Sequence, residues 1–444
     1  MTQINRRNFI KLTSASAALV AVPSILKAEQ SNAYEARVVV VGGGFAGATL
    51  AKYLCLWGDG KIQVTMVDKN PDHVSCVLSN LILNDRLQLD DITLPYTPLQ
   101  DNYGVTVRQG LVTGVTGDEG EAKTVHLDNN DTIICDYVVL APGIEFIDIP
   151  GLKEGNTNNF DIIPHAWIAG SQTELLRDQL HSMQPGDTFV MTVPQSPYRC
   201  PPGPYERACV VADYIARIHN GDGHVVVLDP HSEITIEKET FEQAFNGIYK
   251  DIVTYVPNAT LTSVEINPDE KIAKTTAGDY AGKVLNVIPT HKAGKIAEDL
   301  GLLPGNARFA PVDSASYEST IRSEIFIIGD ANDSGQPKSG HMANAQAKVT
   351  ADALIRIIAG KASSEDFVHD PKRLEKIRTN SACYSPITYD EASWLNAVFA
   401  YETATNSMKL VQDSFASSNS PHWSNENFQD MFEWANSLFS NSFS

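Results

Sequence analysis

The sequence predicts an α/β fold that contains two Rossmann-like domains followed by a C-terminal α+β domain. The first domain is indicated by an apolar strand at Arg37–Val41, which runs into the glycine-rich segment 42–47 and then into a helical pattern. The second is indicated by a strand–turn–helix–strand unit between Thr188 and Asp229. With 444 residues, the chain is long enough for two or more domains.

The first 28 residues are predicted to be a targeting segment outside the fold. Asn5–Lys11 carries two adjacent arginines in the pattern of a twin-arginine signal, the apolar run 12–26 follows, and Ala28 is a candidate cleavage site. The apolar run is shorter than the ~20 residues that span a bilayer, which disfavours the alternative of an uncleaved anchor. We therefore expect export by the twin-arginine route, a periplasmic protein and no stable membrane insertion.

The charge and the missing motifs exclude several classes of function. The formal net charge is −20, from 34 basic and 54 acidic residues, whereas nucleic-acid binding needs a basic surface. An acidic surface is compatible with a soluble enzyme or with a basic partner. Neither a His-Glu-x-x-His metal motif nor a serine-nucleophile elbow occurs in the sequence, so no metal site is expected.

The glycine-rich segment predicts a nucleotide site. Gly42 permits the tight turn, Gly44 lets the backbone approach a pyrophosphate, and Gly47 lets the helix pack closely on the strand. The pyrophosphate would lie on the helix N-terminus, where unpaired N–H groups favour negative charge. The next strand, predicted at Lys61–Val67, ends at Asp68, which stands where an acidic residue binds the adenosine ribose.

Two further motifs indicate which dinucleotide binds. The segment 320–330 ends in Gly329-Asp330 and resembles the distal FAD motif of two-dinucleotide-domain flavoproteins, in which the aspartate binds the ribityl chain. The segment 138–143, with Ala141 and Gly143, resembles the middle motif of the same superfamily. FAD is therefore the expected cofactor.

The turn of the second unit holds a cysteine where another glycine-rich turn would be expected. Residues 193–202 contain four prolines, which lack the N–H donors that cradle phosphate, so we expect no NAD(P) site. Cys200 precedes a helix predicted to begin near Pro204, and Arg199 is its neighbour; both features favour a thiolate. A buried structural cysteine is the alternative at this point.

The residues around Cys200 resemble the flavoprotein subunit of flavocytochrome c sulfide dehydrogenase, a family related to the sulfide:quinone oxidoreductases. The resemblance runs from about Arg37 to the C-terminus and implies a glutathione-reductase-like arrangement of domains. Its matching segments are Ser75–Asn80, Ala141–Glu145, Pro164–Trp167, Cys200–Arg207, Pro337–Gly340 and Cys383–Ser385.

The resemblance gives three cysteines candidate roles. Cys76 matches the cysteine that forms a thioether to the flavin, and Cys200 and Cys383 match the redox-active disulfide beside the flavin ring. Spacing alone could not have paired them, because six cysteines allow fifteen connectivities. Core packing is the preferred interpretation for Cys55, for Cys135 in a strand predicted at Thr132–Leu140, and for Cys209, although a reserve thiol at Cys209 stays open.

The implied reaction is the oxidation of hydrosulfide. Hydrosulfide would attack the Cys200–Cys383 disulfide, two electrons would reach the FAD, and a second sulfide would release the sulfur as polysulfide or elemental sulfur. Cys200 is the preferred leaving thiolate, and Glu206 and Glu145 are candidate proton acceptors, each with a solvated or structural carboxylate as the alternative. The chain has no Cys-x-x-Cys-His motif for a c-type haem of its own. The resemblance implies that a separate c-type cytochrome subunit is the electron acceptor.

The motifs also divide the chain into domains. Residues 35–155 and 291–360 are expected to form an FAD-binding domain in two parts, and residues 156–290 a second Rossmann-like domain without a nucleotide cradle. Residues 361–444 are expected to form a C-terminal interface domain, whose tryptophans are interpreted as core.

Three other functions remain open from sequence. A sulfide:quinone oxidoreductase would need an exposed apolar C-terminal surface, and Leu438, Phe439 and Phe443 make a poor membrane anchor. A non-enzymatic redox-sensing flavoprotein is a more distant alternative. An NAD(P)H-dependent disulfide reductase is disfavoured by the prolines of the second unit.

Overall fold

The apolar strand predicted after residue 36 is the centre of a five-stranded parallel sheet, the first sheet. Three consecutive valines, Val38 to Val40, are at most 1% exposed, as expected where helices cover both faces of a parallel sheet. The strand order is Ile325–Ile327, Tyr137–Leu140, Ala36–Val41, Ile62–Asp68 and Thr106–Gln109. The strand Ile325–Ile327 comes last in the chain, and it pairs with Tyr137–Leu140, which lies almost two hundred residues earlier.

The computed structural model describes residues 35–363, 366–412 and 417–444. The predicted twin-arginine segment, residues 1–28, lies outside the described residues. Within the described ranges, no helix combines the length and the apolar character needed to cross a membrane.

A second parallel sheet is formed by the unit that carries the cysteine loop. Its strand order is Val253–Val256, His224–Leu228, Thr188–Thr192 and Val284–Asn286. The cysteine loop therefore leaves the carboxyl end of a central strand, which is where open α/β sheets place their binding crevices. The first and second sheets bear out the predicted pair of Rossmann-like units.

The C-terminal region adds a third sheet, which is antiparallel. Arg378–Pro386 pairs with Ala392–Glu402, which also pairs with Ser407–Leu410 and with Ser418–Asn419. A final helix then returns to the first sheet. The helices, named in chain order, are α1 Phe45–Trp57, α2 Thr97–Tyr103, α3 Ser171–His181, α4 Gly203–Ile218, α5 Lys238–Gln243, α6 Lys295–Asp299, α7 Gly340–Ser363, α8 Pro371–Leu374 and α9 Asn425–Phe443.

Shorter elements connect these layers. Helical turns are found at Ser79–Ile82, Leu89–Ile92, Ala244–Ile248 and Gly329–Ala331. The small antiparallel sheets are Asp72–Val74 with Thr93–Pro95; Val112–Thr116, Lys123–Leu127 and Thr132–Cys135; Ile144–Phe146 with His291–Ala293; Lys153–Glu154 with Thr157–Asn158; and Leu261–Ile266, Lys271–Thr275 and Gly278–Gly282.

The prediction of one strand at Thr132–Leu140 is wrong, because this segment forms two strands. Thr132–Cys135 pairs in a small antiparallel sheet, whereas Tyr137–Leu140 belongs to the first sheet. Asp136 separates them, and its carboxylate accepts a hydrogen bond of 2.7 Å from the backbone N–H of Arg37. This hydrogen bond is made at the start of the central strand Ala36–Val41, where the chain passes from the small sheet into the first sheet.

The C-terminal residues that looked too few for a membrane anchor are part of the core. Leu438, Phe439 and Phe443 are 5%, 8% and 2% exposed and pack with α1. The ring of Phe443 lies edge-on to Phe45, with ring centroids 5.5 Å apart, and stacks on His73 at 5.0 Å. Helix α9 therefore closes the first domain.

Truncating Phe443 tests this role. We expect Phe443→Ala to lower the free energy of unfolding by about 3 kcal/mol, because a buried aromatic ring leaves a cavity. Urea denaturation of the purified protein measures the change. Ser440→Ala on the exposed face of the same helix is the matched control, and equal stability of the two variants would show that α9 does not hold the first domain together.

Candidate functional site

The glycine segment forms the cradle that the sequence predicts. Gly42 has φ +101°, and a Cβ atom there would lie 2.3 Å from the carbonyl oxygen of Ala141. A Cβ atom at Gly47 would lie 1.8 Å from the carbonyl oxygen of Gly42. Only glycine fits both places, so α1 packs directly on the turn that precedes it.

The N-terminus of α1 is left open for a ligand. Gly44 caps the helix without a side-chain hydrogen bond, and a Cβ atom at Gly44 would meet nothing closer than His73 at 3.7 Å. Asp68 ends its strand as predicted, and its carboxylate accepts hydrogen bonds from the backbone N–H of Gly43 at 2.6 Å and of Asn70 at 2.8 Å. The N-terminus of α1 and the carboxylate of Asp68 thus face the same space.

That space is a cavity of about 610 Å³, which we call the glycine-motif cavity. Every predicted cofactor-binding residue except Gly47 lines it, and Gly47 lies behind Gly42. The lining residues predicted from sequence are Gly42, Gly44, Asp68, Cys76, Ala141, Gly143, Gly329 and Asp330.

Asp330 shows that the cavity is built for a hydrogen-bond donor. Its Oδ1 atom is buried and has no partner among the described residues. Burial raises the pKa of this carboxyl, although Arg199 and Lys338 oppose the shift. A buried acceptor without a donor is costly, and the hydroxyls of a ribityl chain would supply one. Helix α7 also begins at the cavity, at Gly340. The residues present therefore fit FAD.

A second, much smaller cavity adjoins the first. It measures about 60 Å³, and we call it the cysteine cavity. Cys76, Arg199 and Gly340 line both cavities. The other lining residues that matter below are Asn80, Trp167, Cys200, Glu206, Arg207, His341, Cys383 and Trp434.

Three separate elements bring the predicted cysteines together. Cys200 lies in the loop before α4, Cys383 lies in the first strand of the third sheet, and Cys76 follows the short strand Asp72–Val74. Cys200 interacts electrostatically with both of the others. All six cysteines of the chain are free thiols in the structure. The fold thus places the predicted pair in one cavity, beside the predicted flavin-linked cysteine.

The backbone holds Cys200 in an unusual conformation. Its φ angle is +56°, in the left-handed region that non-glycine residues rarely adopt. Its N–H donates to the carbonyl of Lys338 at 2.7 Å, and its own carbonyl accepts from Gly203 at 2.9 Å. A Cβ atom at Gly203 would lie 2.9 Å from Cys200 Sγ, so glycine leaves room for the sulfur.

The prediction that its surroundings favour a Cys200 thiolate is wrong for the free thiol. Burial raises the pKa of Cys200 well above its usual value, and Cys383, Glu206 and Cys76 add to the shift, while Arg199 opposes it. Burial also raises the pKa of Cys383 to about 12. Desolvation outweighs one arginine and a helix end here, so Cys200 has no advantage as the leaving thiolate.

Of the two predicted proton acceptors, only Glu206 lies in the cysteine cavity. Its side chain accepts a 2.9 Å hydrogen bond from Asn80, and burial raises its pKa to about 7. Its charge acts on Cys200 and on Cys383. Glu145 lies elsewhere, on a short strand, where it pairs with Lys153 at 3.2 Å and is 37% exposed. Glu145 is therefore interpreted as a solvated or structural carboxylate rather than as a proton acceptor.

The other three cysteines lie outside both cavities. Cys135 and Cys209 are completely buried in apolar clusters, which confirms core packing for both. Cys55 is partly buried against the core around α1. Cys209 is on α4, three residues after Glu206, but it does not line the cysteine cavity.

Sequence reasoning missed several residues around the cysteines. Glu237 is buried and accepts hydrogen bonds of 2.9 Å from both Ser385 and Ser393, which are paired across the third sheet. Burial raises the pKa of Glu237 to about 6. Trp434 lines the cysteine cavity and donates to His341 at 3.3 Å. Nothing in the local sequence marks these residues, because they reach the site from distant elements.

The described residues contain no cluster of three or more histidine, cysteine or acidic side chains that could hold a metal ion.

Two protein families match most of this chain between them. Residues 36–173 match the pyridine nucleotide-disulphide oxidoreductase family, and residues 173–289 match the central part of the sulfide dehydrogenase [flavocytochrome c] flavoprotein chain. The flavoprotein chain of that name from Chlorobaculum thiosulfatiphilum is 52% identical over 46 residues, which are 10% of this chain and 94% of the relative. The mitochondrial sulfide:quinone oxidoreductase of Dictyostelium discoideum is 21% identical over 335 residues, 72% of this chain and 70% of that protein.

Solved structures with low sequence identity share the fold. The sulfide:quinone oxidoreductase from Aquifex aeolicus superposes with a TM-score of 0.70 at 14% identity, over 92% of each chain. A NAD-dependent persulfide reductase from A. fulgidus superposes with a TM-score of 0.56 at 15% identity, over 91% of this chain and 77% of that one. These likenesses bear out the two-dinucleotide-binding-domain flavoprotein fold.

Proposed function

The protein belongs to the family of flavocytochrome c sulfide dehydrogenase flavoprotein chains, and from that premise we propose that it is an FAD-dependent enzyme that oxidises hydrosulfide and passes electrons to a c-type cytochrome. One observation carries the proposal. Cys200, Cys383 and the carboxyl of Glu206 meet in a cavity of about 60 Å³ that adjoins the glycine-motif cavity. This volume holds only a handful of water-sized molecules, which suits a small inorganic sulfur anion.

The chain supplies the groups that would hold FAD. The N-terminus of α1 at Gly44 would bind the pyrophosphate, Asp68 the adenosine ribose, and Asp330 the ribityl chain. When bound, FAD supplies a two-electron acceptor for the reduced cysteine pair.

We propose that Cys76 binds the cofactor covalently. It lines both cavities, and burial raises the pKa of its thiol. We expect the flavin to stay with the wild-type protein after acid precipitation and to be released from Cys76→Ser, because a thioether survives acid. Absorbance of the supernatant measures the release. Cys55→Ser is the control, and release of all flavin from the wild type would contradict the link.

The cysteine pair would carry the chemistry. One hydrosulfide breaks the Cys200–Cys383 bond, which yields a persulfide on one cysteine and a thiolate on the other. A second hydrosulfide removes the outer sulfur, and the pair is reoxidised as two electrons leave it. Over the cycle, two hydrosulfide anions become one molecule of hydrogen disulfide and two electrons, so sulfur, hydrogen and charge balance.

Glu206 would manage protons in this cavity. With a pKa of about 7, it is able to exchange a proton near neutral pH, and it lies close enough to both cysteines to affect their ionisation. As a carboxylate, it would accept the proton of incoming hydrogen sulfide.

We further propose that the protein works in the periplasm, with a c-type cytochrome subunit as its partner. The twin-arginine pattern of residues 1–28 supports this compartment, in which disulfides persist. The printed name of the Chlorobaculum relative, a flavoprotein chain of a flavocytochrome c, supports the partner.

A sulfide:quinone oxidoreductase is the second candidate, since the Dictyostelium relative covers 72% of this chain. Against it, the apolar residues of α9 pack inside the fold. Steady-state assays with sulfide and either a c-type cytochrome or a short-chain ubiquinone separate the two. We expect turnover with the cytochrome; turnover with quinone alone would reverse the choice.

A further inference from the structure

Arg207 is a buried cation that the proposed chemistry leaves without a role. It is 1% exposed, belongs to the first turns of α4 and lines the cysteine cavity. It forms no ion pair with any carboxylate in the described part of the chain, unlike Arg217 on the same helix, which pairs with Asp213. Burial lowers the pKa of Arg207 to about 9, and the Glu206 carboxylate opposes this shift without forming an ion pair with the guanidinium. An anion in direct contact would offset more of the cost of burying this cation, so the setting points to an anion that visits the cavity.

The hydrogen bonds of Arg207 support this interpretation. Its Nε donates to Asn80 Oδ1 at 2.9 Å, and its Nη1 donates to the carbonyl of His165 and to Asn286 Oδ1, both at 3.0 Å. Its Nη2 donates to the carbonyl of Ala166 at 2.6 Å. All four acceptors are neutral, and they occupy four of the five N–H groups of the guanidinium. The guanidinium is thus fixed in place by neutral groups, and the carboxylate that acts on its charge, Glu206, forms no direct ion pair with it.

Trp167 contributes a second unsatisfied donor beside Arg207. Its side chain lines the cysteine cavity, the residue is 5% exposed, and the Arg207 guanidinium carbon lies 4.9 Å from its ring centroid. The buried indole N–H has no acceptor among the described residues. The same ring approaches the cysteine loop, since a Cβ atom at Gly203 would lie 2.7 Å from the Trp167 ring and 2.9 Å from Cys200 Sγ.

We propose that Arg207 and the indole N–H of Trp167 form an anion subsite that holds hydrosulfide next to the cysteine pair. The inference rests on the proposed function for the identity of the anion. The cation selects the ionised form of the substrate, and the cavity volume of about 60 Å³ limits it to small inorganic anions. Arg207 and Trp167 are therefore specificity-determining residues for the sulfide half-reaction.

Trp167→Phe is the first test, because phenylalanine keeps one aromatic ring and removes the indole N–H together with the second ring, a loss of volume that the control variant shares. Rapid anaerobic mixing with sulfide gives the concentration at half-maximal flavin bleaching and the limiting rate. We expect the half-saturating concentration to rise about tenfold or more while the limiting rate changes little, since one hydrogen bond to an anion is lost. Trp423→Phe, outside both cavities, is the matched control. An unchanged half-saturating concentration in Trp167→Phe would remove Trp167 from the subsite.

Arg207→Met and Arg207→Lys test the charge. Arg207→Met is expected to raise the half-saturating sulfide concentration about a hundredfold. Arg207→Lys is expected to raise it less, because lysine retains the positive charge. Equal half-saturating concentrations in the methionine variant and the wild type would overturn the proposal. Far-ultraviolet circular dichroism and retained flavin show whether each variant is folded.

A readout that needs no turnover separates this inference from the proposed function. Azide, a small anion, is expected to slow the modification of the reduced cysteines by methyl methanethiosulfonate in the wild type and not in Trp167→Phe. Protection without flavin bleaching by sulfide would support the subsite and refute sulfide oxidation. Lack of protection of the wild type by azide would refute the subsite.

Discussion

Replacing Cys200 by serine is expected to slow the reduction of the flavin by sulfide at least ~10³-fold, because no disulfide is left for hydrosulfide to attack. Cys383→Ser is expected to cost as much, since the two sulfurs act as one unit and the losses are not additive. Stopped-flow absorbance under anaerobic conditions measures both rates. Bound FAD should remain in each variant, because neither residue lines the glycine-motif cavity.

Cys209→Ser is the matched control for these variants. Cys209 lies on α4, nine residues after Cys200, and is completely buried, yet it does not line the cysteine cavity. Its replacement should leave the rate of flavin reduction close to that of the wild type. Similar slowing in all three variants would mean that the effect is a loss of folding, and a wild-type rate in Cys200→Ser would exclude the disulfide from the reaction.

Glu206→Gln is expected to lower the limiting rate of sulfide oxidation by about 10²–10⁴-fold at neutral pH. The amide keeps the size of the side chain and its contact with Asn80, but it can no longer accept a proton. Because the folded-state pKa of Glu206 is raised to about 7, the wild-type limiting rate should increase as pH rises through about 7 and then level off.

The pH profile distinguishes proton transfer from a structural role. Glu206→Gln should lose the ionisation near pH 7, whereas a carboxylate that only holds the loop would leave the profile in place. Glu145→Gln is the control, since Glu145 lies outside the cysteine cavity and pairs with Lys153. A limiting rate that depends on pH in the same way in both variants would assign the proton acceptor elsewhere.

The fold was predictable where one short segment determines one local structure. The turn at Gly42 and Gly47 needs residues without a Cβ atom, so the sequence itself reports the geometry. Asp68 and Asp330 each end or follow a parallel strand, and the carboxyl ends of such strands meet at one edge of the sheet. These constraints are local, and they place almost all of the predicted cofactor residues in one cavity.

The cysteine cavity was less predictable because it is assembled from distant segments. The pairing of Cys200 with Cys383 came from resemblance, and spacing gave no information about it. The two glutamates, Glu206 and Glu145, looked equivalent until burial distinguished them. Arg207 drew no attention as a single residue, because the acceptors that hold its guanidinium, among them Asn80 and Asn286, come from distant segments rather than from any motif.

The ionisation of Cys200 shows how burial reverses a local inference. A neighbouring arginine and a helix N-terminus both favour a thiolate, and each can be read from the sequence. The depth of the cavity cannot be read in that way, and desolvation together with Cys383 and Glu206 raises the pKa of the thiol. A disulfide between the two sulfurs would remove this cost, since neither sulfur would then need to ionise until hydrosulfide attacks.

The most direct test of sulfide oxidation through Cys200 and Cys383 is mass spectrometry of the oxidised protein before and after one equivalent of sulfide, under anaerobic conditions and with thiols blocked. Before sulfide, we expect a disulfide-linked pair of peptides containing Cys200 and Cys383. After sulfide, we expect the pair to be separated, one cysteine to carry an extra sulfur atom, and the flavin to be bleached. Bleaching with the linked peptides intact, or oxidised protein in which both residues are free thiols, would contradict the account.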